Sequence, residues 1–125
     1  MDDIMKWLDD ERTFWTDLSC KALQSEISRM EVQCQKQYKI LGDAVGNSEE
    51  LLWAFRAIVN ELMISQIHNI LVAFDGGAWI SEKYIFDIIE KETGETINGD
   101  VVDMHERFIG HLWDVEDGDP FVLAK

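Results

Sequence analysis

The clearest helical pattern of the chain lies in SEELLWAFRAIVNELMISQIHNILVA, residues 48–73. Asn47 or Ser48 can cap the start of a helix, because short polar side chains accept hydrogen bonds from the first free backbone N–H groups. Between residues 58 and 64 the apolar positions run almost all the way round a helix. This pattern is typical of a central helix that is covered on several sides. The sequence therefore predicts a long central helix over about residues 48–73.

The N-terminal third has apolar residues at three- and four-residue spacings, which is the pattern of an amphipathic helix. We expect a helix from about residue 13 to residue 41, preceded by a short helix, because a polar stretch at residues 9–13 interrupts the pattern. On one continuous helix Cys20 and Cys34 would lie roughly 21 Å apart, which is too far for a disulfide. Two reduced cysteines indicate a cytoplasmic protein.

The segment KYIFDIIE, residues 83–90, is rich in β-branched and aromatic residues and predicts a short strand. A turn at residues 91–95 and a short return strand would complete a β-hairpin, which must lean on the helices because a two-stranded ribbon is marginal alone. A last helix follows, capped by Asp100 and with Phe108 on its apolar face. From Asp114 onward we expect an acidic loop.

These elements predict an α+β fold that is predominantly helical, with three to four helices packed with a short antiparallel β-hairpin. The chain has 125 residues, 46% of them hydrophobic, and contains no linker-like stretch. We therefore expect a single acidic globular domain over residues 1–125. No uninterrupted apolar run approaches the roughly 20 residues of a membrane span, and we expect no membrane contact.

Acidic residues dominate the chain, which has a formal net charge of −14. Thirteen of its 25 carboxylates lie between Asp75 and Asp119, and this segment contains only three basic residues. A field of this sign repels nucleic acid and phosphate substrates and attracts a basic macromolecule. The charge therefore points to a basic protein as the partner.

Motifs for catalysis or metal binding fail on their spacing. His105 and His111 are six residues apart, whereas the helix of a zinc protease needs two histidines four apart on one face. Residues 114–119 do not place their oxygen ligands as a calcium loop requires. We therefore expect no metal and no cofactor.

One polar trio remains on the central helix, where Glu61, Ser65 and His68 share a face. The three side chains could form a carboxylate–hydroxyl–imidazole relay or half a metal site. They could equally form a buried polar network that fixes the register of the helices. We favour the network, and we expect a protein without catalytic residues.

Five tryptophans are many for a chain of this size. Trp79 follows the turn at Gly76 and Gly77, and Trp113 precedes the acidic end of the chain. Tryptophan is enriched at the energetic centres of protein interfaces, and an aromatic anchor surrounded by acids suits a basic protein surface. The alternative is that they are ordinary amphipathic residues at the edge of the core.

The stretch from about residue 60 to residue 113 resembles small bacterial immunity proteins of contact-dependent and polymorphic toxin systems. The resemblance is carried by Asp75-Gly-Gly77, by the KETGE turn at residues 91–95 and by HERFI at residues 105–109, and it covers under half of the chain. It implies tight binding to a cognate toxin, often a cationic nuclease, by blocking its active site or an adjoining surface.

We therefore predict a non-catalytic, cytoplasmic binding protein, monomeric or homodimeric, that neutralises a basic toxin without binding nucleic acid or membrane. The predicted partner-binding residues are Trp79, Glu90, Glu92, Glu95, Trp113, Asp114, Glu116, Asp117 and Asp119. Three alternatives stay open: a phage-type DNA mimic that inhibits a nucleic-acid enzyme, a small-ligand or metal enzyme built on Glu61, Ser65 and His68, and an adaptor that dimerises through its N-terminal helix.

Overall fold

A computed structural model describes residues 1–24, 33–98, 103–116 and 118–121 of the chain. The described residues form four α-helices and one short 3-10 helix: α1 (Asp2–Leu23), α2 (Gln35–Val45), α3 (Glu49–Phe74), the 3-10 helix (Trp79–Glu82) and α4 (Met104–Glu116). Their contacts divide them into two compact units. Unit 1 consists of Met1–Asp10 and Ile64–Pro120, and unit 2 is built mainly from Glu11–Met63. The single domain stays a prediction.

The predicted α+β class is wrong, because about 70% of the described residues are helical and none of them forms a β-strand. In place of the hairpin there is one isolated antiparallel bridge, between Ile89 and Thr96. The side chain of Asn98 takes over the bonds that a strand would make. Its Nδ2 donates to the carbonyl oxygens of Phe74 at 2.9 Å and of Phe86, and its Oδ1 accepts the N–H of Ile88 at 2.6 Å.

Helix α1 is continuous from Asp2, so the break that we predicted at residues 9–13 is wrong. Two polar residues of that stretch, Asp9 and Arg12, are buried in the fold, and Asp10 and Thr13 lie on the exposed side of the helix. Arg12 donates to the side-chain oxygen of Asn60 at 2.5 Å in unit 2. Two acids in the first turn and Lys21 in the last turn also complement the helix dipole.

The predicted helix over residues 13–41 is wrong as a single element, because α1 ends at Leu23 and Cys34 lies outside a helix. The hydroxyl of Tyr38 on α2 lies 3.1 Å from Oγ of Ser19 on α1. On one straight helix these residues would be roughly 28 Å apart. Helix α2 therefore packs beside α1 within unit 2. The middle of the predicted helix, residues 25–32, lies outside the described residues.

Helix α3 is confirmed at nearly the predicted bounds. Oγ of Ser48 accepts the N–H of Leu51 at 3.2 Å, which confirms the predicted cap, and Gly76 follows the helix with a positive φ of 88°. The prediction that α3 is covered on several sides is wrong. Its apolar side chains Leu51, Ile58, Leu62 and Ile70 are about half exposed.

One helical segment among the described residues, Glu49–Glu82, is long and apolar enough to cross a membrane by length and composition. We expected no such segment because no uninterrupted apolar run of the chain is long enough. A single helix of this kind is weak evidence, because the core helix of a soluble protein can have the same composition.

The core of unit 1 lies between the start of α1, the second half of α3 and helix α4. Its buried side chains are Met5, Ile64, Leu71, Met104, Phe108 and Leu112. Helix α4 was predicted, and Phe108 is buried as expected, together with Met104 and Leu112. The predicted cap at Asp100 lies outside the described residues. The acidic loop predicted from Asp114 begins later, because α4 continues to Glu116.

Candidate functional site

Both tryptophans that we predicted as anchors are exposed in unit 1. Trp79 begins the 3-10 helix after the glycine turn, and 75% of its surface is exposed. Trp113 lies in the second half of α4 and is 48% exposed. Burying an indole of this size is a large source of binding free energy. These side chains are therefore accessible to a partner.

The predicted acidic residues fall into two groups along the chain of unit 1. Glu90, Glu92 and Glu95 are exposed and flank the turn that Gly94 makes with a positive φ of 74°. The second group is the acidic end of α4 and the residues after it: Asp114, Glu116 and Asp119 are exposed, and Asp117 lies outside the described residues.

The second acidic group occupies the end of a helix where acids are unfavourable. Asp114 and Glu116 lie in the last turn of α4, which contains no basic residue. The C-terminus of a helix carries a partial negative charge, and a carboxylate there costs about 0.3–1 kcal/mol. Trp113 and Glu116 are three residues apart on this helix and so share a face. A cationic side chain would be attracted both by these carboxylates and by the negative end of the helix.

A second candidate site, which we did not predict from the sequence, lies where α3 ends and α4 begins. Asp75, Asp103 and His105 each bring one potential ligand atom to within 4.8 Å of the others. Nδ1 of His105 lies 2.6 Å from Oδ2 of Asp75 and 2.8 Å from Oδ1 of Asp103. The described residues thus place two carboxylates at one ring nitrogen.

Asp75 also caps helix α4 from a distance. Its Oδ2 accepts the backbone N–H of His105 at 3.0 Å, so one oxygen serves both the helix terminus and the imidazole. Its Oδ1 is buried and has no hydrogen-bond partner among the described residues. Leaving a buried acceptor unsatisfied costs about 1–3 kcal/mol. The capping role therefore accounts for Oδ2 of Asp75 but not for Oδ1.

The trio on α3 forms neither the relay nor the buried polar network that we favoured. Glu61 and Ser65 are exposed. The ring of His68 instead packs edge-on against the ring of His105, with the centroids 5.2 Å apart. His68 therefore belongs to the surroundings of the Asp75 cluster. The signal available in the sequence was an aspartate directly after one helix and an Asp-x-His at the start of the next.

A shallow cleft of about 310 Å³ lies elsewhere in unit 1 and is lined by Asp2, Met5, Arg107, Gly110, His111 and Asp114. Nε2 of His111 is 3.7 Å from Oδ2 of Asp9, which is too long for a hydrogen bond. The lining mixes both charges around one methionine. Such a cleft has little apolar surface with which to hold a small ligand.

Comparison of the chain with protein-family models, with curated proteins and with solved structures found no match.

Proposed function

We propose that this protein is a non-catalytic binding protein that holds a basic protein partner against an acidic, tryptophan-containing surface. The observation that carries the proposal is the last turn of α4, where the half-exposed Trp113 adjoins Asp114 and shares a face with Glu116. An apolar anchor beside carboxylates is the combination that binds a Lys- or Arg-rich surface.

The charge of the whole chain supports the same partner. The net charge of −14 provides long-range attraction for a cationic protein, and the exposed Glu90, Glu92 and Glu95 add a second set of pairing groups. The exposed Trp79 is a second candidate anchor. We infer that the partner is the toxin of a bacterial toxin–immunity pair, a cationic nuclease being one such toxin.

A cytoplasmic location fits this proposal. In unit 2, α3 carries the buried Asn60, which accepts a hydrogen bond from Arg12, and Arg56, which pairs with Asp17 at 2.7 Å. In unit 1 the same helix packs its apolar side chains on α1 and α4. Helix α3 therefore makes both polar and apolar contacts with other parts of the chain.

The proposal is tested by affinity capture from the native cell with the full chain as bait. We expect Trp113→Ala to reduce capture of the basic partner by tenfold or more, since truncating a tryptophan anchor costs about 2 kcal/mol. Trp15→Ala is the matched control, because Trp15 is 46% exposed on α1 and lies outside the proposed surface.

Equal capture by the two tryptophan variants would contradict the proposed surface. The identity of the captured protein separates the two inhibitor readings. A toxin encoded beside this gene supports the immunity reading, and a host nucleic-acid enzyme supports the DNA mimic.

A further inference from the structure

We propose that Asp75, Asp103 and His105 form a binding site for a divalent transition-metal ion, and that Zn²⁺ is the ion their donor set favours. One imidazole nitrogen with two carboxylate oxygens is a ligand set that Zn²⁺ accepts in proteins. The proposal departs from our sequence-based expectation of no metal site, because the three residues converge only in the folded chain. It is independent of the proposed function.

The buried oxygen of Asp75 is the observation that a purely structural role leaves unexplained. Only 7% of the Asp75 side chain is exposed, and its Oδ1 has no hydrogen-bond partner among the described residues. This oxygen belongs to the carboxylate whose Oδ2 already faces the ring nitrogen of His105. A cation bound in bidentate mode by this carboxylate would give Oδ1 the partner that it lacks.

The two carboxylates at His105 give the second reason. An imidazole has at most one proton on Nδ1, and here that nitrogen faces Asp75 at 2.6 Å and Asp103 at 2.8 Å. A metal ion in place of the proton would bind all three groups at once. It would also neutralise two adjacent negative charges, which a single shared proton does less completely.

The geometry requires only a small rearrangement. Ligand atoms about 2.0–2.2 Å from a tetrahedral zinc lie roughly 3.3 Å from one another, so the contacts of 2.6 Å and 2.8 Å must widen by about 0.7 Å and about 0.5 Å. The side chain of Asp103 is 53% exposed and precedes the first residue of α4, so it can move outward. The ring of His68 packs edge-on against the ring of His105 and limits how far that ring can move.

The experiment is a zinc titration of the full chain in competition with a chromophoric chelator. We expect one Zn²⁺ per wild-type chain, and Asp103→Asn to weaken the affinity by roughly tenfold or more. Asp103 is chosen because the cap of α4 depends on Asp75 and stays intact in this variant. The matched control is Asp87→Asn, which makes the same charge change at an exposed aspartate outside the cluster.

A second readout identifies the ligand atoms. We expect Zn²⁺ to shift the ring resonances of His105 in the NMR spectrum of the wild-type chain, to leave those of His111 unchanged, and to lose its effect on His105 in Asp103→Asn. Failure of the wild-type chain to bind Zn²⁺, or equal affinity in Asp103→Asn and Asp87→Asn, would overturn the proposal. The cluster would then be a helix cap alone.

Discussion

At the scale of single residues, the two cysteines show how burial separates groups of the same chemistry. Both thiols are free; Cys20 is buried on α1 and Cys34 is exposed before α2. Burial raises the pKa of the Cys20 thiol, because the thiolate loses its hydration inside the protein. The sequence predicted that neither cysteine forms a disulfide, but it could not tell which thiol is accessible.

The folded chain should therefore react at Cys34 and not at Cys20. We expect alkylation of Cys34 in native protein to be roughly tenfold or more faster, with both thiols reacting in urea. Mass spectrometry of the modified peptides checks this. Similar native rates at the two sites would contradict the burial of Cys20.

The same thiol makes stability depend on pH at the alkaline end. The unfolded chain releases the Cys20 proton at the ordinary pKa of a thiol, whereas the folded chain retains it, because its pKa is raised. Above the unfolded pKa the unfolded state binds fewer protons, so the free energy of unfolding falls as the pH rises. Cys20→Ala should have a smaller alkaline loss of stability in urea titrations than Cys34→Ala has.

At the scale of elements, the segment over residues 83–98 shows why a strand pattern did not become a strand. Its composition is that of a β-strand, and Phe86 and Ile88 do face inward, as period-two alternation predicts. A strand also needs a neighbour, and the short return segment offers only the bridge from Ile89 to Thr96. The hydrogen bonds of Asn98 are contacts between distant parts of the chain, and a local sequence pattern cannot predict them.

Replacing Asn98 should cost more stability than any other asparagine in the described part of unit 1. Asn98→Ala removes the three part-buried hydrogen bonds that the buried Asn98 makes to the backbone of Phe74, Phe86 and Ile88, so we expect a loss of about 2–4 kcal/mol. Urea denaturation measures it. The control is Asn69→Ala on the exposed side of α3, expected to stay within about 0.5 kcal/mol of wild type.

The helices divide in the same way between local and tertiary causes. Helix α3 and the body of α4 follow from apolar periodicity and, for α3, from the Ser48 cap, and both were predicted. The continuity of α1 through residues 9–13 depends on burying Arg12 against Asn60, 48 positions away. The cluster of Asp75, Asp103 and His105 was missed for the same reason, because it forms only where two helix ends meet.

For the molecule as a whole, the net charge follows from the amino-acid composition and does not depend on the fold. A chain with a net charge of −14 repels itself, and that repulsion is relieved by a cationic partner or by salt. The structure adds where the acids lie along unit 1. Glu90, Glu92 and Glu95 are exposed around one turn, so neutralising them changes a local field and not only the total charge.

The association rate with the captured partner should therefore depend on salt and on these three acids. We expect the rate to fall roughly tenfold or more between low and high salt, and the triple change Glu90→Gln, Glu92→Gln and Glu95→Gln to flatten that dependence. Stopped-flow measurement of the intrinsic tryptophan fluorescence follows the binding.

The control for that measurement removes the same charge elsewhere. Glu49, Glu50 and Glu61 are exposed on α3 in unit 2, and changing all three to glutamine lowers the total charge equally. If this control flattened the salt dependence as much as the first variant did, total charge alone would steer the partner. A steeper residual dependence in the control supports local steering by the residues around the turn, since interactions beyond a Debye length of about 10 Å are largely screened.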